Sequence, residues 1–424
     1  MVKKIEPANL LVCRSLTNDP VLTTVAAAMA SPEASAAEAI AALIECAENC
    51  NLSGNILRSY IVERLVTDKN IVNCTLERSG GQIGASLREA FIHDMEMLLP
   101  LFTQKPSELI KDAPAFLDDY QPTNERVMTD ATACLASFLP NSTTAEQLAD
   151  GFLTYYRTYG YGSIAIYRAF AWNSEKELLK GITHFEPALL CNIIGYQRQK
   201  DALTKNTLAF LSNLPANNAL LVGDRGTGKS TCIKALANEY FRQGLRLVQI
   251  TKHQIKDLPK VMDTLRQFAS KKFIIYLDDL SFETNESDYK YVKSAIEGGV
   301  EPKPENVLIY ATSNRRHLIR ETWNDHEENR DSELYNSDSV NETVSLSDRF
   351  GLIIKFRAPS QDEYLAIIDH ALRQEGVILA PEELRIEGKR WELDHSGRSG
   401  RTAQQFAAYY LGQRVNRTVE DDAE

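Results

Sequence analysis

Hydrophobic positions along this chain follow two different patterns, and the change falls near residue 187. In the first half, apolar residues recur at helical spacing, as in the segment that begins with the helix start at Ser31 and runs to Cys50, and in the segment 53–66. After Pro187, short apolar runs alternate with helical stretches or loops. The five runs are Ala219–Val222, Leu245–Ile250, Phe273–Leu277, Val307–Ala311 and Leu352–Phe356. These patterns predict a first half that is helical through residue 190, followed by a five-stranded, parallel, doubly wound sheet. Such sheets bind ligands at the carboxyl ends of their strands.

The loop after the first of these strands matches G-x-x-x-x-G-K-[ST], the P-loop pattern. Its glycines allow the backbone N–H groups to approach phosphate oxygens, and the following helix adds positive partial charge at its N-terminus. A lysine and a hydroxyl complete the pattern, for the β- and γ-phosphates and for Mg²⁺ respectively. The predicted phosphate-binding residues are Gly223, Asp224, Arg225, Gly226, Thr227, Gly228, Lys229, Ser230 and Thr231. The context of strand, loop and helix favours a nucleotide site over an ordinary glycine-rich turn.

Polar side chains end the next two buried strands. Asp278 and Asp279 follow Phe273–Leu277, and Asn314 closes the segment that begins at Val307. A hydrophobic strand that ends in adjacent acids is typical of an Mg²⁺–nucleotide site. We therefore expect Asp278 to hold the metal together with Ser230, and Asp279 to activate the attacking water. Asn314 is expected to bond the γ-phosphate or to orient that water.

Two arginine-containing segments near the end of the chain are further candidates. Arg349 lies just before the last strand, where it cannot easily reach its own P-loop, so its expected target is the nucleotide of a neighbouring subunit. Arg401 begins a predicted helix after a glycine-rich loop and is expected to reach the phosphates. Arg398, three residues earlier, is an alternative for that role, and a plain surface cation is the alternative for each arginine.

The segment 155–163 places four tyrosines and two glycines close together. It is compatible with a surface on which nucleotide bases stack, but the apolar pattern that continues through Ile164 and Phe170 favours core packing.

Composition places limits on the partners. Residues 1–190 contain 15 Lys and Arg against 23 Asp and Glu, a balance of −8, which leaves −3 of the total −11 for the remainder. The first half is therefore a poor platform for nucleic-acid phosphates. The seven cysteines form no C-x-x-C pair, and no run of eighteen apolar residues occurs, so we expect a cytoplasmic protein without a membrane span.

The order of P-loop, acid pair, strand-ending Asn314, Arg349 and Arg401 resembles an AAA+ ATPase over about residues 187–415. The resemblance implies ATP and Mg²⁺ as cofactors and homo-oligomer formation. It also implies sensor roles for Asn314 and Arg401, an arginine-finger role for Arg349, and an adenine-side contact at Ile194. It implies three domains: a helical domain over 1–186, an α/β core over 187–358 and a helical lid over 359–424. More narrowly, the phrases around Asp278, Asn314 and Arg349 resemble a bacterial family known as domain of unknown function 815.

One departure from the AAA+ pattern affects the expected chemistry. The usual Asp-Glu pair is Asp278-Asp279 here, so the expected base is one methylene shorter, with Glu283 as a second candidate. Two functions therefore stay open: a mechanochemical ATPase that acts on a client, and a nucleotide-gated switch or scaffold with little turnover.

The client is not apparent from the sequence. Residues 251–259 lack the aromatic residue and glycine of a polypeptide-threading loop. A cationic set there and near residue 316 could meet nucleic-acid phosphates or be merely solvated, whereas the acidic segment 324–342 would repel them. The cationic set consists of Lys252, His253, Lys256, Arg315, Arg316 and His317.

Overall fold

The computed structural model describes residues 6–30, 36–125, 128–282, 288–298, 302–314, 347, 349–395 and 397–421, with side chains as far as residue 413. The chain forms two compact units. The N-terminal unit comprises Met1–Tyr167 with the short segments Arg242–Gly244 and Gln267–Lys271. The P-loop unit comprises Arg168–Phe241, Leu245–Arg266 and Lys272–Glu424. Glu283, Arg315, Arg316, His317 and the acidic segment 324–342 lie outside the described residues.

Helices make up the regular structure described in the N-terminal unit. They are α1 Pro20–Ala30, α2 Ala36–Cys50, α3 Ile56–Thr67, α4 Ile71–Arg78, α5 Ala85–Thr103, α6 Pro106–Leu109, α7 Asp130–Phe138, α8 Ala145–Tyr159 and α9 Gly162–Ile166. The helices α2 and α3 confirm the helices predicted for the segments 31–50 and 53–66, of which residues 31–35 lie outside the described part of the chain. Tyr155 and Tyr156 are each only 1% exposed, and Tyr156 contacts the ring of Phe91 on α5. The tyrosine-rich segment therefore packs in the core and does not offer these two rings for stacking.

The buried carboxylate of Asp94 on α5 holds the beginning of the chain. Its oxygens accept the backbone N–H groups of Leu11, Val12 and Cys13 at 2.8, 2.9 and 2.8 Å. Burial, together with the charge of Asp94, raises the pKa of the Cys13 thiol well above its ordinary value. The three N–H groups satisfy the carboxylate oxygens of Asp94. Without such donors, burying this carboxylate away from water would be costly.

The P-loop unit contains one seven-stranded sheet. The strands are β1 Ala169–Asn173, β2 Leu178–Gly181, β3 Ala219–Gly223, β4 Leu245–Ile250, β5 Lys272–Leu277, β6 Val307–Ser313 and β7 Leu352–Phe356. Their order is β2-β1-β4-β5-β6-β3-β7, and all neighbours are parallel except β1 and β2. The prediction of five strands is therefore wrong in number, although all five predicted runs are strands of this sheet.

The two additional strands lie where helix was predicted. β1 and β2 form an antiparallel hairpin in which Phe170 pairs with Gly181 and Asn173 pairs with Leu178. Glu177 in the connecting turn has φ 50°, a conformation typical of turns. Each strand is short, and the apolar residues of β1 continue the spacing of the preceding helix, so periodicity alone could not separate the two structures.

Burial follows strand position in the sheet. Every residue of the interior strand β6 is buried, whereas the edge strand β7 alternates between more buried and more exposed residues. A strand covered on both faces needs a continuous apolar run, and an edge strand does not. This explains why the run at 307–311 is the more uniform of the two.

Helices cover the sheet and form a separate cluster after β7. They are α10 Gln197–Leu211, α11 Lys229–Glu239, α12 Leu258–Arg266, α13 Tyr289–Glu297, α14 Gln361–Gln374, α15 Pro381–Asp394 and α16 Gly400–Asp421. We call α14–α16 the lid; its core contains Tyr364, Ile368, Leu372 and Phe406. The domain boundaries given above stay a prediction.

Among the described residues, no helix combines the length and the apolar character needed to cross a membrane.

Candidate functional site

A cleft of about 860 Å³ lies in the P-loop unit, at the carboxyl ends of β3, β5 and β6. One wall is the P-loop with the first turn of α11, and another is the acid pair with Thr312 and Asn314. Segment 186–196 and the lid helices α14 and α16 supply the rest of the lining. The topology therefore places the cleft where doubly wound sheets bind their ligands.

The P-loop backbone has a shape that requires glycine. Gly223 ends β3 with φ 140°, and a Cβ added there would lie 1.7 Å from the carbonyl oxygen of Phe356 on β7. Gly228, at φ 85°, is the N-cap of α11, and as a glycine it has no side chain that could cap the helix. The first N–H groups of α11 are thus available to an anion, and the helix dipole favours negative charge there.

Lys229 lies at the base of the cleft and is only 6% exposed. Its ammonium group donates to the carbonyl oxygens of Gly223 at 2.9 Å and Asp224 at 2.7 Å, and to Oδ1 of Asn314 at 3.0 Å. Burial lowers the pKa of Lys229, and nearby carboxylates, led by Asp224, partly offset that effect. These three hydrogen bonds fix the position of the ammonium group at the bottom of the cleft.

Asp278 directly follows β5 and is bonded from two directions. Its Oδ1 accepts the hydroxyl of Ser230 on α11 at 2.9 Å and the hydroxyl of Thr312 on β6 at 2.7 Å. Partial burial acts to raise the pKa of Asp278, but hydrogen bonds that include these two hydroxyls outweigh it and hold the pKa below its ordinary value. The carboxylate is therefore charged near neutral pH.

Asp279 adopts a left-handed backbone conformation, with φ 48°. Its N–H donates to Oγ1 of Thr312 at 3.0 Å, and its Oδ1 accepts Nδ2 of Asn314 at 2.7 Å. Since Asn314 also accepts from Lys229, one amide side chain connects the P-loop lysine to the second acid.

The three candidate arginines lie in different surroundings. Arg401 lines the cleft beside the P-loop, whereas Arg398 is paired with Glu392 on α15 at 3.1 Å. Arg349 is outside the cleft lining and is ion-paired with Glu297 of α13. Only Arg401 of these three side chains is therefore placed beside the P-loop in this chain.

The cleft brings together most of the predicted site residues. Those that line it are Ile194, Arg225, Gly226, Thr227, Gly228, Lys229, Ser230, Thr231, Asp278, Asp279, Asn314 and Arg401. Gly223, Asp224 and Arg349 are not in the lining. Gly223 instead passes close to β7, and Asp224 accepts the N–H of Ala358 at 2.8 Å, in the segment that leads into the lid.

Several lining residues were not predicted. Thr312 belongs to the polar end of β6, which the sequence does show, but only Asn314 was assigned a role there. The lid adds Ile367, His370 and Gln374 from α14, more than 130 residues after the P-loop. A regular amphipathic helix carries no signal that one of its faces borders a distant cleft.

Comparison with known proteins places these residues in a family. The family model described as "Protein of unknown function (DUF815)" matches residues 165–414. The chain belongs to the DUF815 family. That match includes the sheet, the P-loop, the acid pair and most of the lid. No curated protein matches the sequence.

Solved structures similar to this DUF815 chain include Thermotoga maritima RuvB. A RuvB mutant is 17% identical with a TM-score of 0.37, and the alignment covers 53% of this chain and 64% of that one. The structure titled as the RuvB Holliday junction branch migration motor is 18% identical with a TM-score of 0.36 and the same coverage. The chain thus spans less than two thirds of these structures, and the similarities are too remote to carry a role over to it.

Proposed function

We propose that this protein binds ATP with Mg²⁺ and hydrolyses it, and that the energy serves to remodel or load a protein or nucleic-acid client. The observation that carries the proposal is the convergence, in one cleft, of an uncapped helix N-terminus, Lys229, an acid pair and Arg401. This set combines positive charge for phosphates with carboxylates for a metal and a water.

The phosphate chain would lie against the P-loop. The backbone N–H groups of residues 226–231 would face its oxygens, and Lys229 would exchange one of its present acceptors for a phosphate oxygen. Arg401 would approach from the lid. The adenine ring would then point toward Ile194 and the apolar residues of α14, which also line the cleft.

The oxygen donors around Ser230 fit Mg²⁺. The Ser230 hydroxyl and the Asp278 carboxylate lie 2.9 Å apart at the cleft wall, and Mg²⁺ favours oxygen ligands and needs only one or two from the protein beside phosphate. When bound there, the metal would neutralise phosphate charge. Asp278 is already ionised by its hydrogen bonds, so it needs no proton release to serve as a ligand.

Hydrolysis would use Asp279 as the base. Its carboxylate would take a proton from a water whose oxygen attacks the γ-phosphorus, and the bond to the β-phosphate oxygen would break. Asn314, which now donates to Asp279 at 2.7 Å, would hold the carboxylate or the water in line.

A nucleotide-gated switch with little turnover is the second candidate, and one observation favours it. The Asp279 carboxylate is shorter than the usual glutamate, and it is engaged by Asn314, which in turn is engaged by Lys229. The amide donor occupies one of the two carboxylate oxygens and leaves only the other oxygen to accept a proton from water.

Calorimetric titration with ATP·Mg²⁺ tests the binding proposal. Lys229→Ala should weaken affinity by roughly 100-fold or more, because it removes a charged contact to the phosphates. Lys205→Ala, an exposed lysine of α10, is the matched control and should bind as wild type does. Unchanged affinity in Lys229→Ala would show that the nucleotide site is wrongly assigned.

Phosphate release then separates the two candidates. If the chain is an ATPase, Asp279→Asn should keep ATP affinity and lose about 10²–10⁴-fold in turnover. If wild type binds ATP tightly but shows no turnover that Asp279→Asn reduces, the switch displaces the ATPase.

Self-association and the client are the remaining parts of the proposal. Arg349 is paired outside its own cleft, which supports action on a neighbouring subunit. For a nucleic-acid client, His253 and Lys256 are exposed in the 3-10 segment Lys252–Asp257. Binding to single- or double-stranded DNA that weakens steeply with salt would support that client.

A further inference from the structure

Thr312 occupies the point where the two acids of the cleft meet the neighbouring strand. From the geometry we infer that Thr312 is a positioning residue that fixes both Asp278 and Asp279 for the Mg²⁺–nucleotide reaction, an inference that rests on the proposed function. Its single hydroxyl donates to Oδ1 of Asp278 at 2.7 Å and accepts the N–H of Asp279 at 3.0 Å.

The position of Thr312 in β6 shows that this hydroxyl is not incidental. The five preceding residues of β6 are apolar or aromatic and buried, and Thr312 itself is only 2% exposed. A buried hydroxyl is costly unless it is hydrogen-bonded, and here both its donor and an acceptor lone pair are used. Both partners directly follow β5, whose last residue Leu277 pairs with Ala311, the residue before Thr312.

The backbone of Thr312 adds a third connection. Its carbonyl oxygen accepts the N–H of Leu280 at 2.7 Å. Thr312 thus accepts the N–H of Asp279 on its hydroxyl and the N–H of Leu280 on its carbonyl oxygen. Asp279 has φ 48°, a region that L-residues seldom adopt and that Asp tolerates better than most. Two consecutive N–H groups bonded to one residue therefore hold the turn that aims the Asp279 carboxylate at Asn314.

Asp278 receives its two hydroxyl donors from different elements. Ser230 approaches from α11 and is itself proposed as a metal ligand, whereas Thr312 approaches from β6. A residue that hydrogen-bonds a metal ligand orients it and keeps it ionised, and loss of such a partner commonly lowers metal affinity or activity by about 10–100-fold. Thr312 is placed to keep Asp278 oriented when Ser230 turns to the metal.

The test compares Thr312→Val, which keeps the shape and removes the hydroxyl, with Thr312→Ser, which keeps the hydroxyl. Calorimetry with ATP, with and without Mg²⁺, measures the part of the affinity that depends on the metal. Thr312→Val should lose about 10–100-fold in that part and in turnover, with metal-free ATP affinity unchanged. Thr312→Ser should recover most of both.

A matched control loses a buried hydroxyl elsewhere in the same unit. Thr207 on α10 is buried, and its hydroxyl lies 2.9 Å from that of Tyr310, so Thr207→Val should lower stability without changing the response to Mg²⁺. If Thr312→Val does not fold, Thr312→Ala and Thr312→Ser carry the comparison.

The possible outcomes distinguish a failure of the positioning role of Thr312 from a failure of the proposed ATP·Mg²⁺ site. If wild type binds ATP in a Mg²⁺-dependent way and a folded Thr312→Val does the same, the positioning role is overturned while the site stands. If Thr312→Ser is as defective as Thr312→Val, the hydroxyl is not the active feature and the inference is again overturned. Failure of wild type to bind ATP·Mg²⁺ would overturn the proposed function and the inference with it.

Discussion

The Lys303 side chain gives the P-loop unit a stability that depends on pH. Its ammonium group donates to Oδ1 of Asn218 at 2.9 Å, and the same oxygen accepts the N–H of Ile309 on β6. Burial lowers the pKa of Lys303 from 10.5 to about 8. The folded state therefore releases the lysine proton near pH 8, whereas the unfolded chain keeps it until near pH 10.5.

The sign of the effect follows from proton binding. Between pH 8 and 10.5 the unfolded state binds more protons, so the contribution of Lys303 to the free energy of unfolding rises with pH, by at most about 1.4 kcal/mol per unit. Below pH 8 the full cost of burying the charge applies. Lys303→Met should consequently be more stable than wild type at pH 7, and the difference should shrink as pH approaches 10.5. Urea denaturation at several pH values measures it.

The control for this prediction is Lys205→Met, at an exposed lysine of α10. It should follow the wild-type pH profile throughout. A constant difference between Lys303→Met and wild type from pH 7 to pH 10.5 would contradict the assigned titration.

At the residue scale, the sequence identifies site residues that are adjacent in the chain and does not identify those that the fold brings in from distant segments. The P-loop residues occupy one short segment, so spacing alone identifies them. Arg398 and Arg401 could not be separated by sequence, because both follow a glycine in the same loop; the ion pair with Glu392 at 3.1 Å distinguishes Arg398 only in three dimensions. His370 borders the cleft from a helix with no local feature to mark it.

At the element scale, the beginning of α16 rests directly on the P-loop. The N–H of Gly400 donates to the carbonyl oxygen of Gly226 at 2.8 Å, and a Cβ added to Gly400 would lie 3.0 Å from that oxygen. The neighbouring side chain, Arg401, reaches the cleft from this contact. The position of the lid therefore depends on the close contact between Gly400 and Gly226, which a methyl group on Gly400 would crowd.

The Gly400→Ala substitution tests whether the lid position depends on this contact, and it does so without lowering the helix propensity of α16. Alanine is the better helix former, so the helix itself should not be weakened, but Gly226 or the lid must give by a few tenths of an ångström. We expect ATP affinity to fall by roughly tenfold, equivalent to about 1.4 kcal/mol, without a lower melting temperature. Calorimetry and thermal denaturation measure the two quantities.

Gly412→Ala on the same helix is the matched control, since a Cβ there would meet nothing within 4 Å. It should bind ATP as wild type does. Equal affinities for the two alanine variants would mean that the contact between Gly400 and Gly226 does not set the lid position.

The strands show where prediction from sequence succeeds at this scale. The runs at 245–250 and 352–356 match β4 and β7 residue for residue, because polar residues and turns bound them on both sides. β1 and β2 were missed for a physical reason: β1 gains its pairing with β4 only after the chain has folded, and nothing local in a five-residue apolar segment specifies it.

At the scale of the whole molecule, charge and the position of Arg349 bear on assembly. The net charge of −11 lies mainly in residues 1–190, at −8, so the remainder of the chain, which contains the P-loop, is close to neutral. Near-neutral surfaces do not strongly oppose self-association. Arg349 is ion-paired with Glu297 on α13 and does not line the cleft of its own chain. An arginine that acts on phosphate from this position would have to act on another copy.

Complementation between two inactive variants tests that arrangement. Arg349→Ala should lose about 10³-fold in turnover while the isolated chain keeps its ATP affinity, and Asp279→Asn should lose turnover for lack of the base. A mixture of the two should regain activity, because some interfaces then join an intact Asp279 with an intact Arg349. Light scattering with a non-hydrolysable ATP analogue should show species larger than a monomer in each case.

The control replaces Arg373, an exposed lid arginine paired with Asp369, by alanine. Arg373→Ala should be as active as wild type, and mixing it with Arg349→Ala should likewise give activity. Before assembly is complete, the activity of wild type and that of the Arg349→Ala and Asp279→Asn mixture should both rise faster than linearly with protein concentration, since each productive site needs two chains. If both variants assemble with wild type and their mixture stays inactive, Arg349 does not act across an interface. Its pairing with Glu297 would then be a structural contact within one chain.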